Sequence, residues 1–232
     1  MTDEGQLVWN GPRASNFRLS HYKGSPILTY WRGVNSAGGN AGFGYGNITF
    51  LDDTYREILT VCSRLDIVSP EGRQLECEAD FHEAFVTDRD TLLVSAYNAT
   101  PADLSVIGGP TQGWVMDCLV FEIEPESQEI LSRWSALEHV PIENTKHPLR
   151  GTGNQSVPLD YFHINSVVNI GDSLLINARH TWSTYLVSTE GEIEWTLQGE
   201  TGGDFGLLPE NGQFVSLKSI QQALKMHPHR SP

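Results

Sequence analysis

Five polar side chains gather between residues 160 and 180, and their types set the chemistry to look for. Asp160, His163 and Asn165 stand in the phrase Asp160-Tyr-Phe-His-Ile-Asn-Ser166, and Arg179 and His180 close the phrase Ser173-Leu-Leu-Ile-Asn-Ala-Arg-His180. Ile170-Gly171-Asp172 reads as a tight turn between two short strands, so the phrases form a hairpin that brings His163 and Arg179 to one sheet edge. A titratable base beside a permanent cation suits an anionic substrate better than a neutral one. Asn165, two residues beyond His163, is expected on the same side of its strand, where its amide can donate to an anion. The plainer alternative is a structural histidine and a surface arginine.

A second histidine enters by repetition. His82-Glu-Ala-Phe-Val with Thr91-Leu-Leu-Val-Ser-Ala-Tyr parallels His163-Ile-Asn-Ser-Val with Ser173-Leu-Leu-Ile-Asn-Ala-Arg. Equivalent positions in neighbouring repeats would set both imidazoles at the same end of a shared channel. Glu83 and Asp160 are carboxylates placed to orient a ring and set its tautomer. The alternative makes both histidines core residues bonded to backbone carbonyls. No metal is expected, because neither HExxH nor a Cys/His ligand spacing is present. A GxSxG elbow is also missing. The glycine-rich stretch Gly33–Gly46 lacks GxxxxGK[ST] and a following helix, so it reads as a pocket-lining loop rather than a phosphate cradle. No cofactor is expected.

The elements that must carry these residues are short strands at regular spacing. Phe17–Tyr22, Pro26–Trp31, Asn47–Leu51 and Tyr55–Cys62 form a first set of four. Phe81–Val86, Thr91–Tyr97, Met116–Glu124 and Glu129–Trp134 form a second, and Phe162–Val168, Ser173–Ala178, Thr184–Ser188 and Ile193–Leu197 a third. Loops are expected over 63–80, 98–115 and 135–161, with a helical turn around Trp134–Val140. Repeating four-stranded sets predict an all-β fold, a β-propeller with about three blades. Leu7–Trp9 reads as a further strand without a partner, and Val215–Met226 as a short amphipathic helix.

Composition narrows the function classes. The 232 residues carry a net charge of −14, which opposes binding of nucleic acid through its phosphates. No apolar run approaches a membrane span, and the polar N-terminus is not a signal peptide. Cys62, Cys77 and Cys118 allow one disulfide and leave one thiol. Asn47-Ile-Thr, Asn98-Ala-Thr and Asn154-Gln-Ser are N-glycosylation acceptors and favour a secretory route.

At the residues singled out above the chain resembles the arylsulfotransferase family, especially its fungal branch. The phrases that carry the resemblance are Pro26-Ile-Leu-Thr-Tyr-Trp31, Asp80-Phe-His-Glu83, Phe121-Glu-Ile-Glu124, Asp160-Tyr-Phe-His-Ile-Asn-Ser166, Leu174-Leu-Ile-Asn-Ala-Arg-His180, Gly191-Glu-Ile-Glu-Trp195 and Gly202-Gly-Asp-Phe205. The resemblance implies a six-bladed propeller that moves a sulfuryl group from an aryl sulfate to a phenol through a sulfohistidine. It assigns His163 and His82 as active-site histidines, Arg179 as a sulfate-binding arginine and Asn165 as the partner of His163 in a His-x-Asn pair; His180, beside Arg179, is expected as a further substrate contact. The family's sulfated histidine lies in a later blade, and residues 207–232 show no matching phrase. Residues 1–206 are therefore expected to form a partial propeller cut at both ends, followed by a divergent tail over 207–232. Open sheet edges would then favour self-association. A second reading is a truncated propeller that binds or tailors an aromatic metabolite in a fungal biosynthetic pathway.

Overall fold

Runs of β-branched and aromatic residues broken by Gly, Asp and Asn turns build three antiparallel meanders. The computed structural model describes residues 3–36, 42–73, 75–199, 203–207 and 214–216. In the first sheet β1 (Ser15–Tyr22), β2 (Ser25–Asn35), β3 (Gly44–Leu51) and β4 (Glu57–Val61) pair in chain order. The second contains β5 (Ala84–Val86), β6 (Leu92–Ala102), β7 (Gly113–Ile123) and β8 (Ile130–Ser135), again in order. The third contains β9 (Ile164–Ile170), β10 (Ser173–Ala178), β11 (Ser183–Val187) and β12 (Ile193–Gln198). A two-stranded ribbon, β13 (Phe205–Leu207) with β14 (Phe214–Ser216), follows.

Turn chemistry fixes the registers. Lys23 and Gly24 both take positive φ, 50° and 75°, which suits the two-residue hairpin between β1 and β2. At the next hairpin but one, Asp52 Oδ1 accepts from Thr54 N, Thr54 Oγ1 and Arg56 N at 2.8, 2.7 and 3.0 Å and closes the β3–β4 turn.

The second sheet is the middle layer, with β5 beside β1 and β2 and β6 beside β9. Its strands β6 and β7 are buried almost continuously, as a sheet covered on both faces must be. Strand β1, by contrast, alternates between exposed and half-buried positions over most of its length. Tyr97, Phe50, Phe121, Tyr161 and Phe162 are among the largest fully enclosed side chains. One disulfide joins Cys62 to Cys77 and closes the connection from β4 toward the second sheet, while Cys118 is a buried free thiol. No helix among the described residues is long and apolar enough to cross a membrane.

Several elements differ from expectation. Residues 98–115 are not an open loop: β6 and β7 run out to Ala102 and back from Gly113, paired in register along their length. Strand β5 is only Ala84–Val86, because residues 80–82 are held by side-chain bonds instead of a ladder. Residues 5–9 form no strand; Trp9 instead stacks on Phe17 and Tyr55. Residues 215–216 are strand where the helix Val215–Met226 was expected to begin, since 214–216 pair with 205–207. The rest of that expected helix lies outside the described residues. The helical turn near Trp134 is α1 (Ala136–His139), capped by the Ser135 hydroxyl, which accepts from Glu138 N.

Candidate functional site

Two acid–histidine pairs form where the chain crosses from one sheet to the next. At the first crossing Ala79 pairs with Gly46, N to O in both directions at 2.9 and 3.2 Å, and its carbonyl accepts from Trp31 Nε1 at 2.9 Å. Asp80 follows, fully enclosed. Its Oδ1 accepts from His82 N at 2.8 Å and from His82 Nδ1 at 2.7 Å, and its Oδ2 accepts from Gly44 N at 2.7 Å. Gly44 must be glycine for this approach. A Cβ there would lie 2.9 Å from Val34 O and 3.0 Å from the Phe81 ring.

The second crossing repeats the plan. Leu159 joins β7 through Met116 N to Leu159 O at 2.8 Å and Leu159 N to Trp114 O at 2.9 Å. Asp160, also fully enclosed, accepts from His163 Nδ1 through Oδ2 at 2.5 Å. His163 sits in the left-handed region at φ 57°, a costly conformation for a non-glycine residue. The carboxylate on one side holds it there, and on the other its carbonyl accepts from Arg179 N at 2.9 Å. A carboxylate only accepts, so each histidine donates through Nδ1 in these bonds, and its Nε2 is not engaged in them.

Four imidazoles stand in a row. The rings of His82 and His163 lie 5.0 Å apart, nearly perpendicular at 82°. His180 is 5.1 Å from His163, and His147 stacks on His180 at 4.2 Å and 18°. His180 Nδ1 donates to the Asp160 carbonyl at 2.5 Å and lies 3.7 Å from Asp160 Oδ2. Burial pushes the His180 pKa below the usual imidazole range, with His147 and His163 adding to the effect against the pull of Asp160. Tyr97 backs the row, its ring 5.7 Å from His163 and its hydroxyl donating to Ile164 O at 2.9 Å. Burial raises the Tyr97 pKa so far that the phenol stays neutral.

The sequence-predicted residues are only partly gathered. His82, His163 and His180 come together, and Arg179 is tied to His163 through its backbone while its side chain is exposed. Asn165 is exposed and does not share the side of His163. The ladder places Ser166 opposite Asn177 and Ile164 opposite Ala178, which leaves Asn165 as a bulge and breaks the alternation. Its Nδ2 lies 3.4 Å from Asn177 Oδ1. Glu83 orients no imidazole. It pairs with Arg18 at 2.8 Å and accepts from Val167 N at 3.3 Å, locking the first and third sheets to the second. Burial raises its pKa despite Arg18. The glycine-rich stretch does reach the site, since a Cβ on Gly42 would come within 3.1 Å of His163 Cε1.

Sequence reasoning missed Asp80 and His147. Asp80 was findable, because an aspartate precedes the histidine by two or three positions in both repeated phrases. His147 stands in a loop with no repeated counterpart. Asp160, His163 and His180 offer ligand atoms within 4.8 Å of one another. The Nδ1 of His163 bonds the Asp160 carboxylate and the Nδ1 of His180 its backbone carbonyl, so here the three form a hydrogen-bonded unit.

The family model described as Arylsulfotransferase (ASST) matches residues 18–218. The chain belongs to the arylsulfotransferase family. The match takes in all three meanders and both acid–histidine pairs, so the paired imidazoles are part of the family domain and not an appendage to it. No curated protein and no solved structure matches this arylsulfotransferase-family chain.

Proposed function

We propose that this chain transfers a sulfuryl group from an aryl sulfate to a phenolic acceptor through its paired histidines. The three meanders are read as consecutive blades of a propeller, with the acid–histidine crossings at one end of its channel. The observation that carries the reading is the juxtaposition of two aspartate-anchored imidazoles, 5.0 Å apart, beside a segment that ends in Arg179.

His82 has the more open ring, 17% exposed against 3% for His163, and acts as nucleophile. Its Nε2 attacks sulfur, the N–S bond forms, the S–O bond to the aryl group breaks, and the phenolate leaves with the bonding pair. The acceptor phenol oxygen then attacks sulfur, its proton passes to His163 Nε2 and from there to solvent, and the N–S bond breaks with its pair returning to His82. His163, held by Asp160, takes up positive charge against the spread negative charge of the sulfuryl oxygens. Arg179 completes the anion site, with His180 at its rim.

The test is release of phenol from a chromogenic aryl sulfate, with and without a phenolic acceptor. His82→Ala, His163→Ala and Arg179→Ala should each abolish acceptor-dependent release. Unchanged rates in folded variants would overturn the assignment.

A further inference from the structure

The three Asn-x-Ser/Thr triplets are equivalent as sequence and very different as structure. Asn47 lies within β3, paired to Arg32 on β2 on one side of the strand, while its neighbours Ile48 and Thr49 pair with β4 on the other. Its partner Thr49 is 2% exposed, and that hydroxyl lies 3.2 Å from Thr60 Oγ1. Asn98 lies within β6 opposite Asp117, and both ends of its amide are used. Its Oδ1 accepts from Val68 N at 2.7 Å and its Nδ2 donates to Thr100 Oγ1 at 3.0 Å. A sugar on Asn98 would have to displace the bond to Thr100, and one on Asn47 would have to be added inside a paired strand whose sequon hydroxyl is buried.

Asn154 is the opposite case. Residues 154–156 are exposed and form the tip of a tight turn closed by Asn154 and Val157, bonded N to O at 3.3 and 3.2 Å. Its Oδ1 accepts from Ser156 Oγ at 2.8 Å and from Val157 N at 3.0 Å. The sequon hydroxyl rests on the carboxamide here as it does at Asn47, where Thr49 Oγ1 lies 3.4 Å from Asn47 Oδ1, but at 154–156 the whole triplet is exposed and Nδ2 has no hydrogen-bond partner among the described residues.

We propose that Asn154 is the N-glycan acceptor of the folded chain, and that Asn47 and Asn98 are acceptors only when the chain is unfolded. The donor is an oligosaccharide on a lipid diphosphate. A bond forms between Asn154 Nδ2 and the anomeric carbon, the anomeric carbon–oxygen bond to the diphosphate breaks, and the Nδ2 proton passes to solvent. The inference is independent of the sulfuryl-transfer reading.

The experiment incubates the purified 232-residue chain with a single-subunit oligosaccharyltransferase and a lipid-diphosphate-linked oligosaccharide, then maps occupancy by peptide mass spectrometry. The folded chain should carry sugar at Asn154, at least roughly tenfold more than at Asn47 or Asn98, because strand interiors open rarely. Asn154→Gln should remove that modification and leave the denaturation midpoint unchanged. Chain held unfolded by reduction and urea before a rapid dilution into the reaction should gain occupancy at Asn47 and Asn98. Comparable occupancy of the strand sites in folded chain, or no occupancy of Asn154, would overturn the proposal.

Discussion

Asp160→Asn separates a carboxylate that shapes catalysis from one that only fills the core. The substitution keeps volume and leaves an amide oxygen able to accept from His163 Nδ1, so the ring keeps its bond and loses its counter-charge. Asp160 Oδ2 lies 2.5 Å from that nitrogen, which puts the charge centres about 4 Å apart. At an effective dielectric near 20 such a pair is worth about 4 kcal/mol, taken here as an upper figure. Half of it, about 2 kcal/mol, would slow sulfuryl transfer roughly thirtyfold, and the full amount roughly a thousandfold. Folding should suffer less, by about 1–2 kcal/mol, because a bond to a charged acceptor becomes a bond to a neutral one. The assay is acceptor-dependent phenol release at saturating aryl sulfate, with urea denaturation on the same preparation. A folded variant that keeps more than about half the wild-type rate would refute the electrostatic role of Asp160.

Three further outcomes follow from the geometry. His180 has a lowered pKa, so its neutral form is favoured in the folded chain and stability is lost as pH falls from the unfolded value near 6.5 through the folded one. The urea midpoint of wild type should therefore fall more steeply between about pH 7 and 5 than that of His180→Phe, and equal slopes would contradict this. Gly46→Ala should destabilise by about 2 kcal/mol or more, since a Cβ there would meet Arg32 O at 2.1 Å; a loss below about 0.5 kcal/mol would show that β2 and β3 can separate at no cost. Removing the Cys62–Cys77 link, with a sequence separation of 15, by paired alanines should cost about 3 kcal/mol of chain entropy in thermal or urea unfolding.

The meanders were legible because turn residues and period-two patterning are local. Ser173–Ala178 is strand β10 to the residue, and the two Leu-Leu phrases mark equivalent strands, β6 and β10. What could not be read was anything set by contacts across sheets. The Glu83 carboxylate looked like a partner for an imidazole because it adjoins His82, yet β5 turns it toward Arg18 and Val167. Asn165 was placed beside His163 by alternation, and alternation fails where His163 takes φ 57° and the next residues bulge. His147 reaches His180 through a loop whose path no local pattern specifies.

The two acid–histidine pairs share a plan and differ in the detail that assigns their proposed roles. In Asp80-Phe-His82 the carboxylate binds both the backbone N and the ring of the same residue, and the ring stays partly open. In Asp160-Tyr-Phe-His163 acid and histidine are one residue further apart, His163 takes positive φ, and the ring is buried against Tyr97. A nucleophile must reach sulfur and then release it, so access matters more than shielding. A group that stabilises transferred negative charge works best where water is scarce and its own charge is balanced, which is the situation of His163 over Asp160. Exposure and burial therefore divide the labour between two otherwise equivalent imidazoles: His82 attacks, and His163 holds the charge that the attack creates.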